Sequence, residues 1–122
     1  MVLQPPAATH WAGRSRGRVL PEGRERDVCR VLDEVFRSFQ PDFVLAGLSG
    51  VGRGVDEVAI DLAHRYGVPS GAIQDYWGYL GPWGATRYPG TYFVLDARAA
   101  ELTADRAPAG TTVVITGSPK HE

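Results

Sequence analysis

The segment best equipped for chemistry is Gln74-Asp75-Tyr76-Trp77-Gly78-Tyr79, a carboxylate followed by large amphipathic rings. A carboxylate held in position can take a proton from a hydroxyl, which is the work of a general base. Rings beside it supply a flat wall for a small ligand, and Trp83, Arg87 and Tyr88 extend that wall along the chain. The alternative for the same rings is to cover a sheet edge or to form a dimer contact, since Trp and Tyr are enriched in both settings. A second candidate is the glycine-rich loop Ser49-Gly50-Val51-Gly52-Arg53-Gly54, which precedes an amphipathic segment. Backbone N–H groups of such a loop, backed by a helix dipole, can hold a phosphate or carboxylate. Ser49 adds a hydroxyl, and Arg53 adds a guanidinium able to grip an anion through two N–H groups. The loop has neither the Gly-Lys-Ser/Thr of a Walker motif nor a clean GxGxxG. A tight turn that needs glycine for its backbone angles is therefore an equal reading.

Other reactive side chains have plainer readings. Ser49 lacks a Gly-x-Ser-x-Gly elbow and an ordered His–Asp set, so serine-hydrolase chemistry is not expected. His64 shares its helix with Asp61 and Arg65 and reads as a surface residue, and His121 sits at the terminus beyond Gly117-Ser118-Pro119-Lys120. Cys29, the single cysteine, borders an apolar stripe and reads as a small half-buried residue. It cannot form an intramolecular disulfide, and no Cys/His set has zinc-site spacing, so no metal site is expected and no cofactor is indicated.

Helices and strands must position these groups. Val28, Val31, Leu32, Val35, Phe36 and Phe39 follow the i, i+3, i+4, i+7 spacing of an amphipathic helix, which Gln40-Pro41-Asp42 stops. Residues 43–48 form a short, continuously apolar run, the pattern of a strand buried on both faces. Val55, Val58, Ala59, Leu62, Ala63 and Tyr66 give a second helix, ended by Gly67. A strand at 68–73, the long connection 74–90, a strand at 91–95, a helix at 97–104 capped by Asp96 and a β-branched strand at 111–116 complete the order. This alternation predicts an α/β fold: a small three-layer Rossmann-like domain with a mainly parallel sheet of about four strands.

The chain of 122 residues fits one domain by the prior of roughly 100–200 residues each. We place that domain at 21–122, preceded by a flexible arm at 1–20 that contains Pro5-Pro6, Arg14, Arg16 and Arg18 and shows neither helical nor strand periodicity. Thirteen basic against 14 acidic residues leave a net charge of −1, which gives no global attraction to nucleic acid or an acidic membrane. No apolar run approaches the roughly 18 residues of a membrane span, so a soluble, cytoplasmic protein is expected.

In open α/β sheets ligands bind beyond the carboxyl ends of the strands, where residues 49–54, 74–79 and 117–121 converge. The site read from the residues is therefore Asp75 as general base, with Ser49, Gly50, Gly52, Arg53, Trp77, Tyr79 and Gly117 binding a small-molecule ligand. Three segments also carry a resemblance: Gly47-Leu48-Ser49 with Gly52 and Glu57; Val68-Pro69-Ser70 with Asp75-Tyr76-Trp77-Gly78-Tyr79; and Ile115-Thr116-Gly117-Ser118-Pro119. Together they resemble the later part of the N-terminal Rossmann-like half of glycosyltransferase-B and nucleotide-sugar 2-epimerase-like proteins. Asp75 and Trp77 match that pattern most closely, while Gly78 and Ser118 stand where asparagine is expected. The resemblance implies a half-domain that binds an anionic or sugar-like metabolite in a biosynthetic pathway. A complete enzyme of that kind holds its donor on a second domain, so autonomous glycosyl transfer is not expected. A small sheet with few elements to cover its edges, and an apolar loop from Asp75 to Tyr88, lead us to expect a homodimer or a partner subunit. The competing class is a non-catalytic assembly module whose aromatic loop recruits a partner protein.

Overall fold

Apolar runs too short for helices become the strands of a parallel sheet in the computed structural model, which describes Val2–Leu3, Arg18–Val19 and residues 25–48, 54–81 and 87–117. The elements run β1 (Val2–Leu3), β2 (Arg18–Val19), α1 (Glu25–Phe39), β3 (Val44–Ala46), α2 (Val55–Tyr66), β4 (Ser70–Ile73), β5 (Thr91–Val94), α3 (Ala97–Arg106) and β6 (Thr112–Ile115). Strands β3 to β6 lie side by side in chain order, all parallel. This is the expected α/β architecture, Rossmann-like, with a four-stranded parallel sheet and three helices.

Register decides which residues meet the helices. Ala46, Ala72, Tyr92 and Val113 stand opposite one another across the four strands and so share a face. Leu48, Ala72, Tyr92 and Val94 pack there with Ala99 of α3. Val44, on the same side by strand alternation, borders a second cluster in which Leu32 and Phe36 of α1 meet Val58, Leu62 and Ala63 of α2. Burying a side chain of that size contributes about 1.5–3 kcal/mol, which fixes the two helices against each other.

The opposite face carries Leu45, Gly71, Ile73, Phe93 and Val114, so the sheet is apolar on both sides, as a middle layer is. The described helices all pack on the first side. Residues 43–48 therefore depart from the expectation of burial on both faces: Leu45 is 57% exposed and Phe43 is also exposed. The cause is position, because β3 is an edge strand of the four and no described element covers that side of it.

Local signals end the helices as the residues require. Gln40 adopts a left-handed φ of 50°, its N–H bonded to the Phe36 carbonyl, and Pro41 prevents the helix resuming. Gly67 closes α2 with φ 67°, and the next N–H, of Val68, reaches back to the Ala63 carbonyl at 2.8 Å. One pairing escaped the sequence pattern: within the segment read as an arm, Val2–Leu3 and Arg18–Val19 pair as parallel strands. Two residues per strand are too few to display alternation.

Candidate functional site

Beyond the end of β4 the chain turns under the control of a buried amide. Gln74 is 1% exposed; its Nε2 donates to the Tyr79 carbonyl at 2.7 Å and to Thr103 Oγ1 on α3 at 2.9 Å. Its backbone N–H continues the ladder to the Phe93 carbonyl. The turn is tightened by Tyr79 N–H to the Tyr76 carbonyl, and Arg106 of α3 donates to the Gly78 carbonyl. Gly78 has φ 67°, and a Cβ there would lie 3.0 Å from Leu102 Cβ. Asparagine, which the resemblance leads one to expect, tolerates that backbone region but would press on Leu102.

With Gln74 facing inward, Asp75, Tyr76 and Trp77 are exposed. Trp77 is 48% exposed, and its indole N–H points between the two Asp96 carboxylate oxygens, 2.9 and 3.1 Å away. Tyr76 meets the Trp77 ring edge-on. Asp96 is also the N-cap of α3, accepting from Ala99 N–H at 2.8 Å. That backbone N–H, and secondarily the indole, hold the Asp96 carboxyl below the usual carboxylate range. The ends of β4 and β5 are thus tied together through one tryptophan.

Tyr79 turns back onto the cluster around Leu48 and Tyr92. Burial raises its hydroxyl above the ordinary tyrosine range, and the carboxylates of Glu57 and then Asp75 raise it further. Sequence reasoning did not assign a role to Glu57, yet it is the most buried carboxylate described, at 2% exposure in the first turn of α2. Its Oε2 accepts Gly54 N–H at 2.6 Å, the return half of a capping box. Its Oε1 is buried and has no hydrogen-bond partner among the described residues. The detectable signal was a glutamate three residues after the loop's final glycine. Beside it, Asp56 accepts Gly47 N–H at 3.0 Å. Burial raises its carboxyl, opposed by that hydrogen bond and assisted by Glu57.

Of the residues expected to form the site, Asp75, Trp77 and Tyr79 leave the same strand end, joined by Asp96 and Glu57. Gly117 follows β6 with φ 77°. Ser49, Gly50, Gly52 and Arg53 lie outside the described residues, as do Trp83 and His121. Tyr88 does not extend the wall. Its carbonyl accepts from His64 Nε2 in the last turn of α2, because the chain must return to the far end of the sheet to begin a parallel β5. Cys29 packs half-buried beside the α1–α2 cluster, and His64 is exposed, both as expected. Among the described residues no group of His, Cys, Asp and Glu has the arrangement of a metal site, and no helix is long and apolar enough to cross a membrane.

Chemically, the described groups are hydrogen-bond acceptors around a fixed aromatic ring. Carboxylates accept from hydroxyl groups and repel anions. No family model, no curated protein and no solved structure matches this chain.

Proposed function

We propose that this chain is a stand-alone glycosyltransferase-B-like half-domain that binds a small sugar-like or anionic metabolite at the carboxyl ends of its strands. The observation that carries this reading is Trp77, half exposed and pinned by Asp96, next to the exposed carboxylate of Asp75. A ring face with fixed orientation beside hydrogen-bond acceptors suits a polyhydroxylated ring better than a bare anion. In the catalytic version Asp75 takes the proton of an acceptor hydroxyl, and a partner subunit brings the activated donor. Arg53 and the glycine-loop amides hold the anionic part of the ligand.

Isothermal titration of the full chain with UDP-glucose, glucose and inorganic phosphate separates these contributions. UDP-glucose binding is expected to weaken at least tenfold in Trp77→Ala and Asp75→Asn. Unchanged binding in both variants, or no binding of any of the three, sinks the reading. The second reading, an assembly module or homodimer contact, rests on the exposure of Tyr76 beside Trp77. It expects Trp77→Ala to abolish self-association seen by sedimentation equilibrium while the parent binds no UDP-glucose.

A further inference from the structure

Helices α1, α2 and α3 all pack on one face of the four-stranded sheet, and no described element packs on the other. That bare face carries Leu45 of β3, Ile73 of β4, Phe93 of β5 and Val114 of β6, with Phe43 just before β3. Phe43 and Ile73 are each 46% exposed and Val114 is 38% exposed, as side chains without a covering layer are. Gly71 keeps the face flat: a Cβ there would collide with the Phe93 ring and press on that of Phe43, so both rings lie close over the glycine. Ile73 and Phe93 stand opposite each other in register on the two central strands. Strand alternation turns no charged side chain of β3 to β6 to this side; its polar residues are Thr91 and Thr112, register partners at one end. A wholly parallel sheet is ordinarily covered on both faces, and apolar surface of this extent is rarely left in water.

We propose that this bare face is the contact between two copies of the chain, stacked sheet on sheet about a two-fold axis and separate from the Trp77 loop. Charge argues for a second copy. A two-fold contact sets a surface against itself, so like charges would meet and repel, and this surface has none. A foreign partner is selected and steered by complementary charge, which the face does not offer. Area argues the same way. Four strands about 4.8 Å apart and about 13 Å long, stacked on their copy, remove on the order of 1,000 Å² from water, the low end of specific interfaces. Phe43 and Leu45 also line the groove at the β3 edge, where Phe39 is 75% exposed, so the apolar surface continues past the rim of the sheet. A reversible dimer with a dissociation constant in the micromolar range fits that size.

The test is sedimentation equilibrium of the full chain from low to high micromolar concentration. The unaltered chain is expected to show a monomer–dimer equilibrium. Ile73→Lys and Ile73→Glu, each placing a charge at the centre of the face, are expected to weaken dimerisation at least tenfold with circular dichroism unchanged, because Ile73 is already half exposed in the single chain. An equimolar mixture of the two variants is expected to dimerise again, since opposite charges then meet across the axis. Trp77→Ala is expected to dimerise as the unaltered chain does. A monomer at every concentration overturns the proposal. Undiminished dimerisation of both Ile73 variants overturns it as well, and dimerisation lost only in Trp77→Ala moves the contact to the aromatic loop. If the Ile73 variants do not fold, Val114→Lys and Val114→Glu on the same face decide by the same readings.

Discussion

Gln74 carries an uncharged amide into the core where β4 ends, and its Nε2 and Oε1 both meet partners there, on the Tyr79 carbonyl and the Thr103 hydroxyl. Replacing it by leucine leaves the Tyr79 carbonyl and the buried Thr103 hydroxyl without these partners, and each such loss costs about 1–3 kcal/mol. Gln74→Leu is therefore expected to lower the urea midpoint clearly. Thr103→Val alone should cost less, and the double variant should cost less than the sum, because the two side chains serve each other. The reactive types Asp75 and Trp77 were legible in the sequence, since a carboxylate beside exposed rings announces itself by type alone. Gln74, Thr103 and Glu57 were not. Polar residues are read as exposed by default, and only the packed structure shows that these three are buried.

At the scale of elements, Asp96 serves helix α3 and the indole of Trp77 at once. Asp96→Ala is expected to lower the melting temperature and to shift Trp77 emission to longer wavelength as the ring is freed; equal spectra for parent and variant would contradict the contact. The pH dependence has a definite sign. Asp96, and Asp33 through the Tyr66 hydroxyl and then Arg37, have carboxyls held below the unfolded range of about 3.9. Their contribution is present above that pH and is lost as pH falls through the lowered folded values. Asp56 acts oppositely: its raised carboxyl favours the folded state in acid, and that contribution is lost as pH rises through its folded value. Asp56→Asn should thus remove a gain seen on acidification, which thermal melts between pH 3 and pH 7, roughly the carboxylate range, detect. Helices α1 and α2 were legible because apolar spacing over twelve or more residues leaves little choice. The pairing of β1 with β2 was hidden because two residues have no period.

For the whole molecule, the parallel sheet followed from the alternation of helices and strands, but the identity of its edge strand did not. Continuous apolarity at 43–48 reads the same in a central strand and in an edge strand. Register also reveals why Gly71 lies where it does: a Cβ there would stand 2.7 Å from Phe93 Cε2 and 3.1 Å from Phe43 Cζ. Gly71→Ala is expected to cost about 1–3 kcal/mol by overpacking, measured by urea unfolding. Asp75, Trp77 and Tyr79 follow β4, Asp96 follows β5 and Glu57 lies in the helix after β3, and the proposed ligand is expected at this carboxyl end of the sheet. The most direct measurement is a ¹H–¹⁵N NMR titration of the full chain with UDP-glucose. Shifts concentrated on the Trp77 indole and on the amides of residues 75–79 and 96–99, saturating at micromolar to millimolar ligand, are the expected result. No shift at any concentration, or shifts confined to the residues of α1, would contradict a ligand site at the strand ends.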